Sequence, residues 1–379
     1  MLFQIPALSE RENEVIVQID ELWDALRYQL GQPRRWYGSL RRIVSAKNVQ
    51  GSNSIEGYNV SVEDAAALME GEEAAESSDA DAVVVRNYGD AMTYIISMAD
   101  DPTFEYNDAL IKGLHFMMMK HDLEAMPGHF RPGTVWVWST SGGEVVYEGP
   151  NPDDVPKLVR ELCDDLAADL SADDVSHWVR GAMAHLNLVM VHPFKDGNGR
   201  MGRALQTLVL ARAQIQSATF LSIEEYLGAN TPAYYSVLGE VGSGGWHPEN
   251  DARPWLRFAL TAQYRQAKTL EKRIRESEHL WEEIDLVREK AGLDERTLGS
   301  LYTAAWGLRV RRRDHLAYAP HISERAATSD LLKLVEAGLI IPVGERRGRF
   351  YVAGDILKEL RSRTRDPERS NPDPFDEAA

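Results

Sequence analysis

One stretch, residues 191–203, limits the possible folds of this 379-residue chain more than any other. It reads VHPFKDGNGRMGR. Pro193 disfavours helical geometry in the residue before it, so a helix is predicted to end at His192. The two glycines that follow permit tight turning and let backbone N–H groups approach a ligand closely. A second helix is predicted to begin near Arg200. The stretch therefore predicts two helices joined by a glycine-rich turn, and backbone donors at the start of a helix favour binding of an anion such as phosphate.

The charged side chains of this stretch indicate phosphate chemistry. Arg200 and Arg203 are three residues apart, so they lie on one face of the predicted second helix. The helix dipole disfavours cationic side chains at the start of a helix unless a bound anion lies between the cations and the helix end. The guanidinium group of arginine matches the geometry of phosphate oxygens. Asp196 is an expected Mg²⁺ ligand beside bound phosphates, and His192 is the nearby side chain suited to act as a general base near neutral pH. Together these residues predict phosphoryl or nucleotidyl transfer.

The same stretch resembles the signature of the Fic family, His-Pro-Phe-x-Asp/Glu-Gly-Asn-Gly-Arg-x-x-Arg, and matches it at every specified position. Enzymes with this signature typically transfer AMP from ATP to a serine, threonine or tyrosine hydroxyl of a target protein. The resemblance implies that His192 deprotonates the target hydroxyl, that Asp196 holds Mg²⁺ and that Phe194 is buried as an anchor. It also implies that Gly197, Asn198 and Gly199 form an anion hole for the α- and β-phosphates and that Arg200 and Arg203 contact the outer phosphates.

A second motif lies far upstream, where residues 52–57 read SNSIEG. Ser52 and Glu56 are four residues apart on one predicted helical face, and Gly57 is expected to end that helix. The run resembles the inhibitory motif of the same family, Ser/Thr-x-x-x-Glu-Gly/Asn, and its position resembles the class II type, in which the inhibitory helix precedes the Fic core. The resemblance implies that Glu56 pairs with Arg203 and blocks productive placement of the γ-phosphate. The alternative interpretation of Glu56 is a solvated carboxylate at a helix end.

The rest of the sequence predicts a mainly α-helical protein, because apolar residues recur at three- and four-residue spacing through most of it. In residues 135–148 two short β-prone runs flank a glycine-rich turn, which predicts a β-hairpin that resembles the family's flap. Residues 71–82, rich in alanine and acids, predict an exposed loop. The predicted organisation is an N-terminal helical region with the inhibitory helix (1–105), a Fic catalytic core (106–245), a helical connector (246–292), a winged helix-turn-helix (293–365) and a disordered tail (366–379).

Charge is unevenly distributed along the chain. The whole chain carries 42 Lys and Arg against 59 Asp and Glu, a net charge of −17, yet residues 306–365 carry 13 basic and 7 acidic side chains. This basic region coincides with the predicted winged helix, so DNA is a candidate partner there. The predicted recognition helix, residues 324–337, carries both signs of charge, which disfavours direct base readout and keeps a protein partner open. The arginines expected to face DNA phosphates are Arg309, Arg311, Arg312, Arg313, Arg346, Arg347 and Arg349.

Composition excludes several other classes of protein. A single cysteine, Cys163, excludes a disulfide framework and a multi-cysteine zinc cluster, and we expect it to be buried. No apolar run approaches the roughly 20 residues that span a bilayer, and the N-terminus lacks a signal-peptide pattern, so we expect a cytoplasmic protein without a membrane partner. We also expect His185 to be a hydrogen-bonded core residue. Trp136 and Trp138 are expected to be packing residues and not to stack on bases.

These observations predict an autoinhibited protein adenylyltransferase that uses ATP and Mg²⁺ and modifies a hydroxyl of a target protein, and also itself. One alternative is a DNA-binding transcriptional regulator with a nucleotide-sensing Fic core. A second alternative is the reverse reaction at the same site, a de-adenylylating hydrolase in which Glu56 positions water. A homodimer is a further expectation from the resemblance, because members of the family are often dimers.

Overall fold

The computed structural model describes residues 1–75, 77–138, 143–168, 175–213, 215–345, 348–367 and 373–376, and within them the chain is mainly α-helical, as predicted. The first helices are α1 (Glu10–Leu30), α2 (Tyr37–Ile55), α3 (Val62–Met69), α4 (Asp79–Met98), α5 (Asp108–Met119), α6 (Val155–Ala167), α7 (His177–Val191) and α8 (Asn198–Arg212). They are followed by α9 (Ala218–Leu221), α10 (Glu224–Ala229), α11 (Thr231–Gly242), α12 (Arg253–Lys290), α13 (Leu298–Ala305), α14 (Arg312–Tyr318), α15 (Glu324–Glu336) and α16 (Asp355–Arg363). Short 3-10 turns occupy Leu123–Ala125, Pro152–Asp154 and Glu295–Thr297.

Local sequence explains where several of these helices begin and end. Ser61 precedes α3, and its hydroxyl accepts the backbone N–H of Asp64 at 3.0 Å, which satisfies one of the free donors at the helix start. The helix α2 ends before Gly57, whose φ of +87° lies in the left-handed region that favours glycine. The loop predicted over residues 71–82 is shorter than expected, because α4 already begins at Asp79, and it is not fully exposed, because Glu72 is buried.

The helices α7 and α8 form the centre of the fold, and they pack closely in opposite directions. Near one end of the pair, a methyl group on Gly181 would lie 3.2 Å from Leu210 Cγ. Near the other end, a methyl group on Gly202 would lie 2.6 Å from Val189 Cγ2, so only glycine permits this approach. Because the pair is fixed along its whole length, the turn that joins the two helices is held by a rigid base.

A small sheet lies beside the turn between α7 and α8. It consists of β1 (Trp136–Trp138), β2 (Val145–Glu148) and β3 (Gly244–Gly245), with β1 antiparallel and β3 parallel to β2. The hairpin predicted over residues 135–148 is therefore present, although its turn, residues 139–142, lies outside the described residues. The hydroxyl of Tyr147 donates to the carbonyl of Met190 at 2.5 Å, which attaches the base of the hairpin to the end of α7.

The expectation that Trp136 and Trp138 are packing residues is wrong. Their side chains are 49% and 59% exposed on the first strand of the hairpin. A buried tryptophan needs apolar neighbours on both ring faces, and an edge strand with solvent on one side does not supply them. The two indoles are instead exposed on the hairpin, as are Val145 and Val146 of β2.

The long helix α12 is more deeply integrated than a connector. Trp255 is fully buried and its indole N–H donates to the carbonyl of Ala182 in α7 at 2.7 Å. Four residues of the tail, 373–376, also pack on the helical body: Phe375 lies against the core, with the guanidinium of Arg257 5.3 Å from its ring centre. The remaining part of the predicted disordered tail includes residues 368–372 and 377–379, which lie outside the described residues.

The C-terminal unit, residues 293–365, contains α13 to α16 and the antiparallel strands β4 (Ile340–Val343) and β5 (Phe350–Ala353). An isolated bridge joins Val310, before α14, to Tyr351 in β5. The chain turns between α15 and β4 at Gly338, whose φ is +68°. The helices and the hairpin that the sequence predicts for this region are thus present in the predicted order.

Several basic residues of this unit are neutralised by the chain itself. Arg309, Arg311 and Arg313 pair with acidic residues of α3 and of the segment after it. Arg312 pairs with Glu324 inside the C-terminal unit at 3.1 Å, while Arg346 and Arg347 lie outside the described residues. The expectation that these arginines face DNA phosphates is therefore not met for the three that pair with acids of the chain itself.

The helices of the described residues include none that combines the length and the apolar character needed to cross a membrane.

Candidate functional site

The turn between α7 and α8 is held in shape by side-chain contacts. The backbone N–H of Phe194 donates to Asn198 Oδ1, and Asn198 Nδ2 donates to the carbonyl of Phe194, each at 2.9 Å. Phe194 is fully buried, as expected, and stacks on the ring of His115 with 3.7 Å between ring centres. His115 Nδ1 accepts the backbone N–H of Gly128, so its Nε2–H donates to the carbonyl of Asp196 at 3.0 Å. The backbone of the turn is therefore fixed from both sides.

His192 is the residue that caps α7, in the left-handed region with φ +50°. Its Nδ1 lies 3.1 Å from the carbonyl of Val189, which can only accept, so Nδ1 carries the proton and the lone pair of Nε2 is free. Burial lowers the pKa of His192 to about 4, opposed by the bond to Val189 and reinforced by the positive charge of Arg131. The ring is therefore neutral near pH 7 and can accept a proton at Nε2.

A buried arginine, Arg131, connects the hairpin to the histidine. Its side chain donates from Nε to the carbonyl of His192 at 2.8 Å, from Nη1 to that of Gly133 at 2.7 Å and from Nη2 to that of Pro150 at 2.6 Å. Its backbone N–H donates to the carbonyl of Pro193 at 2.9 Å. Because Gly133 and Pro150 flank the hairpin, Arg131 sets the position of the hairpin relative to His192.

The start of α8 presents buried cationic donors that have no partner among the described residues. Gly197, with φ +78°, precedes the helix, and the free backbone N–H groups of its first turn follow. Arg200 and Arg203 are each 1% exposed. Nε and Nη1 of Arg200 and Nη1 of Arg203 are buried without a hydrogen bond to any described residue. Burying unpaired guanidinium donors is costly, so this arrangement fits an anion with several oxygen acceptors.

Asp196 is placed at the mouth of this anion site. Its side chain is 56% exposed, Oδ1 accepts the backbone N–H of Gly197 at 2.6 Å, and Oδ2 lies 4.0 Å from Arg200 Nη2. No cluster of three or more His, Cys, Asp or Glu able to hold a metal occurs among the described residues. A single exposed carboxylate fits Mg²⁺, because this ion is commonly held by one or two carboxylates together with phosphate oxygens and water.

The carboxylate of Glu56 lies inside the anion site. Glu56 caps the C-terminal end of α2, and its Oε1 accepts Nη2 of Arg203 at 2.7 Å. A methyl group on Gly199 would lie 2.5 Å from the same oxygen and 3.1 Å from Arg203 Nη1. Glu56 therefore lies against the backbone of the first turn of α8, where it makes an ion pair with Arg203.

Ser52 provides the second contact between α2 and the anion site. Arg203 donates from Nε to the Ser52 hydroxyl at 2.8 Å and from Nη2 to the Ser52 carbonyl at 3.0 Å. Ser52 is fully buried, one turn of α2 before Glu56. The negative charge of Glu56 opposes the effect of burial and raises the pKa of Arg203 above its ordinary value, so the guanidinium stays charged.

The end of α2 that carries these residues is packed tightly on α9 and α10. Asn48 donates to the carbonyl of Thr219 at 2.8 Å, and Lys47 pairs with Glu225 at 3.2 Å. A methyl group on Gly51 would lie 2.7 Å from the carbonyl oxygen of Glu224, so this contact requires glycine. The position of Glu56 is thus set by the packing of the whole helix and not by the ion pair alone.

The structure brings together all the site residues predicted from the two sequence motifs. Ser52, Glu56, the turn from Asp196 to Gly199, Arg200 and Arg203 share one region, and His192 begins the same turn. Sequence reasoning missed His115 and Arg131, which touch the turn from far away in the chain. It also missed Met119 and Tyr58, which contact the Arg200 guanidinium from α5 and from the residue after Gly57. No local pattern marks these four residues.

Two further expectations about single residues are confirmed. His185 is buried and hydrogen-bonded on both ring nitrogens, to Gln206 at 2.7 Å and Tyr234 at 2.9 Å. It is therefore a hydrogen-bonded core residue. Cys163 is buried in α6, and burial raises the pKa of its thiol to about 11, so it is not a reactive thiolate near neutral pH.

The fold and the site define a helical domain in which a glycine-containing turn, with buried arginine donors beside it, leads into a helix. Residues 105–210 match the sequence model of the Fic/DOC family. The chain is 26% identical over 259 residues to the protein adenylyltransferase Fic of Nematostella vectensis. The aligned region covers 67% of this chain and 55% of the relative. It is 32% identical over 146 residues to the protein of the same name from Culex quinquefasciatus, covering 38% of this chain and 25% of the relative. The chain spans about half the length of the Nematostella relative.

Solved structures share the fold. A Fic family protein from Desulfovibrio desulfuricans matches with a TM-score of 0.59 and 22% identity, over 93% of this chain and 99% of that one. Residues 134–508 of Fic-1 from C. elegans match with a TM-score of 0.53 and 21% identity, over 68% of this chain and 71% of that one. The family model thus matches the stretch that holds α7, the turn and most of α8, and these solved structures share the fold of the chain.

Proposed function

We propose that this chain is an autoinhibited protein adenylyltransferase, which transfers AMP from ATP to a hydroxyl of a target protein. The observation that carries the proposal is the set of buried, unpaired guanidinium donors of Arg200 and Arg203 beside the neutral base His192. Such donors match the oxygens of a polyphosphate, and the base matches a hydroxyl nucleophile. The names of the relatives from Nematostella and Culex support the same activity.

In the forward reaction, the triphosphate of ATP would bind along the first turn of α8. The backbone of Gly197, Asn198 and Gly199 would contact the α- and β-phosphates, and Arg200 and Arg203 the outer phosphates. Nε2 of His192 accepts the proton of the target hydroxyl while that oxygen attacks the α-phosphorus. The bond from the α-phosphorus to the bridging oxygen breaks, pyrophosphate leaves, and the target carries an AMP ester.

Mg²⁺ would be held by Asp196 together with phosphate oxygens. The ion would offset the negative charge that develops on the leaving pyrophosphate. The chain's own contribution here is to fix the carboxylate, since Asp196 Oδ1 accepts the Gly197 N–H and the Asp196 carbonyl accepts the His115 Nε2–H.

The hairpin β1–β2 would align the target. The strand β1 pairs with β2 on one side only within the described residues, so its other edge has free backbone groups for an added strand. The exposed Trp136 and Trp138 would cover apolar side chains of that strand. Because Arg131 ties this hairpin to the His192 carbonyl, a target strand on β1 would have a fixed position relative to the base.

Glu56 would restrain the reaction. Its carboxylate lies against Gly199 and pairs with the same Arg203 that the outer phosphates need. Two anions competing for one guanidinium repel each other, so ATP would bind in an unproductive position while Glu56 stays in place. Withdrawal of Glu56 would free Arg203 and permit transfer.

The proposal is tested with ATP labelled at its α-phosphate. We expect the Glu56→Gly variant to label itself strongly, the unchanged protein weakly, and the Glu56→Gly/His192→Ala double variant not at all. Nucleotide-induced shifts of the melting temperature serve as the control, since the double variant should still bind ATP. A Glu56→Gly protein that binds ATP but transfers nothing would exclude the proposal.

The reverse reaction is the second candidate, because Glu56 is a partly exposed carboxylate beside the phosphate site and could orient a water molecule. A target that already carries AMP separates the two: release of AMP by the unchanged protein, lost in Glu56→Gly, indicates the hydrolase. A DNA-binding regulator is the weaker candidate, because Arg309, Arg311 and Arg313 are already paired with acids of the chain. Failure to shift duplex DNA at low salt would exclude it.

A further inference from the structure

The inhibitory helix α2 is contacted by the C-terminal unit near its first residues. The Ser39 hydroxyl lies 3.1 Å from Thr303 Oγ1 of α13 and 3.0 Å from the Tyr318 hydroxyl of α14. Thr303 and Tyr318 are hydrogen-bonded to each other at 2.7 Å, and Ser39 is buried. The helix that ends at Glu56 therefore begins against the C-terminal unit.

A second contact involves the acidic segment, residues 63–73, which comprises most of α3 and the loop after it. Arg309 pairs with Glu63 at 2.8 Å and with Asp64, and donates to the carbonyl of Glu73 at 2.9 Å. Arg309 and Asp64 are almost completely buried. A buried pair of this kind is costly to separate, so it attaches the acidic segment to the C-terminal unit.

The outer part of this interface is a chain of ion pairs that leads back to α2. Glu70 accepts from Arg42 of α2 at 2.6 Å and lies 3.5 Å from Arg313. Glu72, whose side chain is 4% exposed, pairs with Arg311 at 2.8 Å and Arg313 at 2.5 Å. The acids thus lie between an arginine of the inhibitory helix and two arginines of the C-terminal unit.

These contacts have a direct geometric consequence for Glu56. Only residues 57–61 separate Glu56 from α3, and α2 is a continuous helix from Tyr37 to Ile55. A helix of this length behaves as a rigid rod over its roughly 27 Å. If the acidic segment and Ser39 lose their contacts with the C-terminal unit, both ends of the segment that carries Glu56 lose one support, and only the contacts of α2 with α9 and α10 and with Arg203 still hold it.

We propose that the C-terminal unit acts as a brace on the inhibitory helix. By holding Ser39 and the acidic segment, it keeps Glu56 paired with Arg203. Loss of these contacts raises the rate of AMP transfer. The inference rests on the proposed function, since it concerns regulation of the same site. It also gives the basic residues of the unit a role in binding the chain's own acids.

The test weakens the outer ion pairs and leaves the buried Arg309 in place. In the Arg311→Glu/Arg313→Glu variant, both new carboxylates face Glu72, so the interface is repelled. We expect self-labelling from α-labelled ATP to rise at least about 5-fold over the unchanged protein, the lower end of ordinary coupling between sites. The Arg312→Glu variant is the matched control, because Arg312 lies between them but pairs within the C-terminal unit; its labelling should stay at the unchanged level.

Two further variants show whether the effect passes through Glu56. Adding Glu72→Arg to Arg311→Glu/Arg313→Glu restores opposite charges and should bring labelling back down. Adding Glu56→Gly should give no more labelling than Glu56→Gly alone, because one restraint cannot be released twice. The milder Glu72→Gln change, followed by circular dichroism, covers the case in which the reversed charges prevent folding, and it should raise labelling in a folded protein.

The outcomes separate this inference from the proposed function. If Glu56→Gly itself transfers nothing, the proposed function fails. If Glu56→Gly is active while both Arg311→Glu/Arg313→Glu and Glu72→Gln label at the unchanged level, the brace is refuted and the function stands. Equal increases in Arg312→Glu and Arg311→Glu/Arg313→Glu also refute it, because the effect would then follow net charge and not the contact.

Discussion

The role of Arg131 gives a prediction whose size follows from the structure. Replacing Arg131 by lysine keeps the positive charge but gives up the planar fork that reaches the carbonyls of His192, Gly133 and Pro150. A hydrogen bond to a charged group contributes about 1.5–3 kcal/mol net. An ammonium can keep one of the three bonds and loses two, so we expect Arg131→Lys to lower the free energy of unfolding by about 3–6 kcal/mol.

The effect on catalysis should be selective. Arg131 contacts the histidine and the hairpin but none of the groups at the start of α8, so it serves the target side of the reaction and not the nucleotide side. In the Glu56→Gly background we expect Arg131→Lys to lower kcat for a target hydroxyl and to leave the KM for ATP unchanged. Arg131→Gln, which removes the charge as well, should lower kcat further.

Steady-state kinetics with varied ATP and denaturant unfolding measure the two effects in the same samples. The reasoning is refuted if ATP affinity and kcat fall together, which would indicate general loss of structure. It is also refuted if Arg131→Lys has full activity.

The remaining predictions concern the site and its surroundings. Arg200→Met should raise the melting temperature of the nucleotide-free protein, because a buried unpaired polar group costs about 1–3 kcal/mol. In the Glu56→Gly background, the same change should abolish the rise in melting temperature that ATP causes. Trp136→Ser and Trp138→Ser should each change the free energy of unfolding by less than about 0.5 kcal/mol, yet lower kcat/KM for an added target protein. The acid limb of kcat/KM for Glu56→Gly should lie at or below about pH 4, because burial lowers the pKa of His192 to about 4 and the variant removes a carboxylate that raises it; a midpoint at 6.5 would contradict this. Burial lowers the pKa of His185 to about 3, so below pH 6.5 this histidine is protonated in the unfolded protein but not in the folded one. The free energy of unfolding should therefore fall as the pH drops from 6.5 towards 4. The His185→Gln variant should show a smaller fall over the same pH range.

Much of the site could be predicted because its chemistry is concentrated in two short stretches. The order of His192, the glycine turn, Arg200 and Arg203 specifies both the local backbone and the charges that meet there. The contact between Glu56 and Arg203 crosses 147 positions, and periodicity says nothing about it. Resemblance of a second motif to a known inhibitory pattern supplied that pairing.

The residues that sequence reasoning missed act through tertiary packing. His115 and Arg131 reach the turn from other elements, and each is an ordinary residue in its own segment. The exposure of Trp136 depends on which face of the hairpin meets solvent, and composition does not determine this. Side-chain type therefore predicts which chemistry is available, whereas contacts over long chain separations determine where it is used.

The basic region shows the same limit for electrostatics. Counting charges over residues 306–365 gives a positive segment, which favours a polyanion as the partner. In the fold, Arg309, Arg311 and Arg313 face acids that lie about 240 positions earlier in the chain. A segment sum cannot reveal this neutralisation, because the compensating charges are brought together only by folding.

The most direct test of the account is mass spectrometry of the intact Glu56→Gly protein after incubation with Mg²⁺ and a panel of nucleoside triphosphates. We expect addition of an adenylyl group from ATP, carried on a serine, threonine or tyrosine hydroxyl, with little addition to the unchanged protein and none to Glu56→Gly/His192→Ala. An unmodified Glu56→Gly protein, or modification that persists without His192, would contradict the claim that this site transfers a nucleotide under the restraint of Glu56.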